Sequence, residues 1–199
     1  MVSVSYRFAS REIRTFKRGE LIYLAHNTGV LWHILKGTVR LDLPGAEAKT
    51  FASIALPGDI LGIEMLGLGH YGFTAHALTP CTLSLRHSAD IAPLAHMATA
   101  ITRAAQVIAL REGTAVERVQ RLANLLTSEG KHPLINQRNA LPRLADIAEI
   151  TCLSVETVSR TTAILGQASG LPHKTYRQKN FQHPADQAMS LATPQPLAA

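Results

Sequence analysis

Apolar and polar residues alternate in short runs through the first half of the chain. The runs Lys17 to Tyr23, Leu31 to Leu43 and Ile54 to Gly62 are bounded by Asn27-Thr28-Gly29, Pro44-Gly45 and Pro57-Gly58. A period of two between turn residues predicts strands that bury one face. Several such strands spaced about 10 residues apart predict a small antiparallel barrel or jelly roll.

From Ala89 the period changes. Leu94, Ile101, Ile108 and Ala115 recur every seven residues, with Ala98 and Ala105 on nearly the same face. This predicts a helix over 89–115 carrying a narrow apolar seam. So narrow a seam suits a second helix, although it can equally pack on the chain's own strands.

A third pattern lies further on. Leu144, Ile147 and Ala148 give a short helix one apolar stripe. Ser154 stands where an N-cap belongs, and Glu156 follows in the first turn, where an acid suits the helix dipole. A second helix is therefore expected from Val155. Its Val158, Thr161 or Thr162, and Leu165 turn inward, while Glu156, Ser159 and Arg160 share the outer face. Arg can bond guanine O6 and N7 bidentately, Glu can accept from a cytosine amino group, and Ser can meet a base edge or a phosphate. The competing reading is an ordinary helical hairpin with a solvated polar face.

Asp146 to Arg160 resembles the helix-turn-helix of the CRP/FNR superfamily of bacterial regulators, and Val155-Glu156-Thr157-Val158-Ser159-Arg160 is similar to the FNR and FixK branch. The resemblance implies that Glu156, Ser159 and Arg160 read bases, that Val155 contacts a thymine methyl, and that the half-site is TTGAT-like. The Gly19-Glu20, Leu35-Lys36-Gly37 and Pro57-Gly58-Asp59 pieces resemble the superfamily's cyclic-nucleotide-binding-like roll, so the likeness spans most of 17–183. It implies an α+β fold: a β-roll (jelly roll) sensor in 1–88, a long dimerisation helix in 89–115 with Leu94, Ile101 and Ile108 as the dimer seam, and a winged helix-turn-helix in 116–185. A tail over 186–199, rich in Ala and Pro, is expected to be disordered. The helix is shorter than is usual in the family.

Composition narrows the picture modestly. Hydrophobic residues make up 46% of the 199, enough for real cores. With no apolar run long enough to span a membrane and no signal-peptide pattern, a cytoplasmic protein is expected, with no membrane partner. The net charge of +6 is spread evenly, with eleven Lys and Arg against eight Asp and Glu in 1–115, and nine against six in 116–199. More pointed is the stretch from Thr157 to Ala185, which holds Arg160, Lys174, Arg177 and Lys179 and no acid. In the family's architecture Lys174, Arg177 and Lys179 fall on the wing, where they would grip phosphate without reading sequence. A merely solvated charge run is the alternative.

The family's cofactors fit less well. Alignment on Pro57 to Gly62 puts Ile63, Phe73 and Thr74 where cAMP-binding members carry Glu, Arg and Ser, so a buried cyclic phosphate would lack its cation. Cyclic AMP is therefore not expected. An FNR-type iron–sulfur cluster needs about four thiolates, and the chain has two cysteines, Cys81 and Cys152. His26, His33, His70, His76, His87 and His96 are scattered without metal-ligand spacing, so no metal is expected, and haem through one of them stays open as an alternative. Cys152 occupies the turn position where FNR-like proteins have Gly, and is a candidate redox switch beside the DNA-facing helix. A small side chain tolerated in a turn is the plainer reading.

The expectation is thus a homodimeric regulator of double-stranded DNA, not an enzyme. The resemblance adds RNA polymerase as a partner and low-oxygen or nitrogen-oxide metabolism as the setting. Within the family the alternatives are an effector-gated gas or redox sensor and a regulator set by its own abundance. Outside it they are a cupin-like metalloenzyme and a protein-interaction module.

Overall fold

The computed structural model describes residues 12–45, 50–127 and 142–168. Lys174, Arg177, Lys179 and the 186–199 tail lie outside the described residues. Eight strands come first: β1 (Ile13–Phe16), β2 (Leu21–Tyr23), β3 (Leu31–Lys36), β4 (Val39–Leu43), β5 (Thr50–Ala55), β6 (Ile60–Leu61), β7 (Thr74–Ala77) and β8 (Cys81–Arg86), with a short helix α1 (Met65–Leu68) between β6 and β7. They form two four-stranded antiparallel sheets, β1-β8-β3-β6 and β2-β7-β4-β5. The period-two pattern thus gives a double-sheet roll.

Side-chain alternation puts Trp32, Ile34 and Leu83 of one sheet against Val39, Ala75 and Ala77 of the other, all buried, with Tyr23 and Tyr71 stacked at 3.8 Å between ring centroids. The connection that takes the chain from β3 in one sheet to β4 in the other turns on Gly37, whose φ of +88° is a left-handed conformation. A Cβ there would come within 2.3 Å of the Pro80 carbonyl oxygen, so the position excludes a side chain on two counts.

Four helices follow: α2 (Pro93–Ala109), α3 (Ala115–Thr127), α4 (Leu144–Thr151) and α5 (Val155–Ala168). The helix expected over 89–115 is shorter at both ends. A 3₁₀ turn occupies Ser88–Asp90, Pro93 opens α2, and the chain breaks at Gly113, with φ +84°. Ala115 therefore begins α3 and is not a fourth member of the seam. The α3 start carries a reciprocal cap: the Thr114 amide donates to Glu117 Oε2 at 2.8 Å and the Glu117 amide to Thr114 Oγ1 at 3.3 Å. Hydrogen bonding from Thr114, its backbone amide first, holds the Glu117 carboxyl below its usual range.

A second apolar core joins the roll to the C-terminal helices. Phe51, Ile54, Leu56 and Leu78 pack with Val107 and Leu110, with Val119 and Leu122 of α3, and with Ile147, Ala148, Ile150 and Val158 of α4 and α5. The seam of α2 points elsewhere. Leu94, Ile101 and Ile108 are 83%, 70% and 65% exposed, so the stripe does not pack on its own roll.

Candidate nucleic-acid interface

Helix α4 is anchored by buried Ile147, Ala148, Ile150 and Thr151. It ends at Cys152, which takes the left-handed conformation (φ 55°, ψ 47°) that the turn demands. The Leu153 amide then donates to the Ala148 carbonyl at 2.8 Å, and Leu153 packs on the apolar core. This is the geometry of a Schellman stop, in which a left-handed residue usually filled by Gly lets the chain reverse. Arg111 Nε and Arg118 Nη1 donate to the Ile150 and Thr151 carbonyls, at 3.4 and 3.3 Å, and so cover the open end of the helix.

Ser154 caps α5 as its sequence position predicts, its Oγ accepting from the Thr157 amide at 3.1 Å. Val158 and Thr161 are buried, Thr162 and Leu165 half-buried. Val155, Glu156, Ser159 and Arg160 are all exposed on the outer side. The structure therefore brings the four residues expected to meet bases onto one accessible helix face. Glu156 and Arg160 form an i,i+4 ion pair with each other, their side chains 74% and 73% exposed. A pair so exposed contributes at most about 1 kcal/mol, so a nucleic acid can separate it at little cost.

The two thiols differ. Cys152 is exposed at the turn, whereas Cys81 is buried in the roll. Burial raises the Cys81 thiol to about 11, which keeps it protonated at neutral pH.

A cavity of about 260 Å³ lies between the roll and α2. Leu41, Ile54, Ile63, Phe73, Ile101 and Arg103 are among the residues that line it. Ile63 and Phe73 thus reach the cavity, whereas the Thr74 hydroxyl accepts from the Ala25 amide at 3.1 Å. Arg103 is committed to Asp59, with both N···O distances 3.2 Å. Among the described residues no group of three or more His, Cys, Asp or Glu could hold a metal ion, and no helix is long and apolar enough to cross a membrane.

A further charged group has no local signal in the sequence. Strand β4 reads Val-Arg-Leu-Asp-Leu, an alternation that in a one-sided sheet leaves the charged residues in water. Arg40 and Asp42 are both buried, because α4 covers that face. Arg40 Nε meets Asp42 Oδ1 at 2.6 Å, and its Nη1 and Nη2 meet the two Glu149 carboxylate oxygens at 2.6 and 2.7 Å. Burial works against the Arg40 charge, but the bonds to Glu149 and Asp42 more than offset it, so the guanidinium is more firmly protonated than usual. Those bonds also hold the Glu149 carboxyl below its usual range. The partners are 109 residues apart, and no local pattern links them.

No family model and no curated protein matches the chain. Solved structures do. A CRP-family transcriptional regulator of Thermus thermophilus aligns with a TM-score of 0.63 and 25% identity over 82% of this chain and 89% of that one. FixK2 of Bradyrhizobium japonicum aligns with a TM-score of 0.63 and 23% identity over 84% and 90%. CLP, a c-di-GMP-responsive global regulator of Xanthomonas campestris, aligns with a TM-score of 0.53 and 16% identity over 82% and 89%. The chain has the fold of CRP/FNR-family transcriptional regulators, with cyclic-nucleotide-binding-like antiparallel sheets followed by helices.

Proposed function

We propose that this protein is a sequence-specific DNA-binding transcriptional regulator that reads a TTGAT-like palindrome as a homodimer. The observation that carries the reading is the exposed face of α5, where Val155, Glu156, Ser159 and Arg160 stand open to solvent on a helix fixed from behind by Val158 and Thr161. In this reading Arg160 takes the guanine of TTGAT, Glu156 the opposing cytosine, Val155 a thymine methyl, and Ser159 a base edge or phosphate. Lys174, Arg177 and Lys179 supply backbone contacts from a wing. A second copy covers Leu94, Ile101 and Ile108, burying apolar surface that the single chain leaves in water. RNA polymerase is the expected partner once DNA is bound, and low-oxygen or nitrogen-oxide genes the expected targets.

The roll in this reading does not take a cyclic nucleotide. The cavity presents Ile63 and Phe73, and its Arg103 already has a carboxylate partner. The same cavity supports a second reading, gating by a less polar effector, because Ile101 both lines it and belongs to the seam.

The test is salt-titrated binding to a TTGAT-N4-ATCAA duplex and to a scrambled one, by protein whose visible spectrum has been recorded. Tight, specific binding by colourless protein supports an effector-free reader, and specificity that appears only on adding a small molecule supports gating. Equal affinity for both duplexes under every condition overturns the proposal.

A further inference from the structure

We infer that Arg40 and Glu149 are positioning residues that fix the angle at which α5 meets DNA, and thereby the spacing between half-sites that two copies can read. The inference rests on the DNA-reading homodimer proposed above.

Two kinds of contact join the C-terminal helices to the roll. The apolar core from Phe51 and Ile54 to Ile147 and Val158 supplies cohesion, but burial of apolar surface has no preferred direction. The Arg40 cluster supplies direction. Its guanidinium is held on the sheet by Asp42 and lies 5.6 Å from the centroid of the Phe51 ring, and Asp42 faces His76 Nδ1 at 3.4 Å. From this fixed base the two terminal nitrogens make a bidentate bond to Glu149, a geometry that tolerates little rotation. Asp146, one turn earlier on α4, lies 3.9 Å from Nη1. With Arg40 buried and the Glu149 side chain 42% exposed, the pair is a poor means of cohesion, since solvent weakens it on one side and desolvation penalises it on the other. Directional constraint is what the charged pair adds.

The constraint reaches α5 because α4 and α5 move together. Ile150 and Val158 share one core, and the turn between them is fixed by the Leu153 bond to Ala148 and the Ser154 cap. Fixing α4 on β4 therefore fixes the recognition face. For a dimer, each added base pair turns the second half-site by about a tenth of a helical turn, so a fixed angle selects one spacing.

The test uses E149Q, which keeps the shape and loses the charge, and E149M, which replaces the carboxylate with an apolar group. Arg40 stays paired with Asp42 in both. Binding is measured to a single half-site and to palindromes with spacers of four base pairs and of one more or one fewer. Wild type is expected to favour its best spacer by about tenfold, and both variants by only about twofold, because a loosened head can reach mismatched half-sites. Single-half-site affinity should stay within about twofold, since α5 is untouched. An unchanged spacer ratio, or a proportional loss on every duplex, would overturn the inference.

A readout without DNA separates this failure from failure of the regulator reading. A spin label on exposed Cys152 and another on Lys36→Cys, in chains diluted with unlabelled protein, report the distance between head and roll. Buried Cys81 stays unlabelled. A narrow distance distribution in wild type that broadens in both variants supports the positioning role whether or not the palindrome is bound. Equal widths contradict it.

Discussion

The recognition helix α5 and the junction between β4 and α4 put the same chemistry to opposite uses. On α5, Glu156 and Arg160 pair across one helical turn with nearly three-quarters of each side chain in water. At the junction, Arg40 and Glu149 pair across 109 residues, with the Arg40 side chain 9% exposed, Asp42 behind it 2% and Glu149 42%. The first pair is cheap to open and leaves both ends available to a ligand. The second is costlier to open, because the Arg40 end is buried, and it ties one part of the molecule to another. Solvation, rather than the identity of the charges, decides which role an Arg and a Glu play.

The largest expected effect comes from breaking the buried side. Arg40→Ala leaves Asp42 buried without its cation and should lower the unfolding free energy by about 3 kcal/mol, the low end for a buried pair because Glu149 keeps access to water. Thermal or urea unfolding checks this, and a change under about 0.5 kcal/mol, the scale of ordinary surface substitutions, would mean the junction is not closed in solution. On the exposed side, Arg160→Ala should leave the melting temperature unchanged while costing about 1–3 kcal/mol of binding to the cognate duplex. Equal effects of the two substitutions on stability would erase the contrast. Ser154→Ala probes the scaffold beneath the readers and should cost about 1 kcal/mol of stability through the lost cap.

The junction should also be visible in pH dependence. The Glu149 carboxyl, held below its ordinary 4.5 chiefly by the Arg40 hydrogen bonds, contributes stability that is present above that value and lost as pH falls through the lower folded-state value. Unfolding measured from neutral pH to below 4.5 should show a steeper acid loss in wild type than in Glu149→Gln. The smallest effect is chemical. A thiol reagent should modify Cys152 alone in the native protein and both cysteines after unfolding. Rapid native modification of Cys81 would show that the roll opens.

Legibility in the sequence followed the same divide. The α4 and α5 elements, the Ser154 cap and the outward face of α5 were readable because each rests on residues within a turn or two of one another, whereas the turn at Cys152 was placed only by resemblance. The roll was readable as a class of architecture from alternation and turn residues. Two features were not. The end of α2 falls at Ala109, and a turn through left-handed Gly113 separates it from α3 inside an otherwise continuous seven-residue repeat, so the seam reads on to Ala115 although the helix has ended. The Arg40 cluster was not readable because period-two alternation says which residues share a face and nothing about what covers it. Arg40 and Asp42 alternate with Val39 and Leu41 as a solvated face would, and only the placement of α4 turns that face into an interior.

The proposed regulator depends on α5 reading bases through Arg160 and its neighbours. The most direct test is a binding profile of wild type and Arg160→Ala against a set of duplexes in which each base pair of TTGAT-N4-ATCAA is changed singly. Wild type is expected to discriminate most sharply at the G·C pair of each half-site, and Arg160→Ala to lose discrimination there while keeping it elsewhere. A variant profile that is merely weaker at every position by the same factor would contradict this reading.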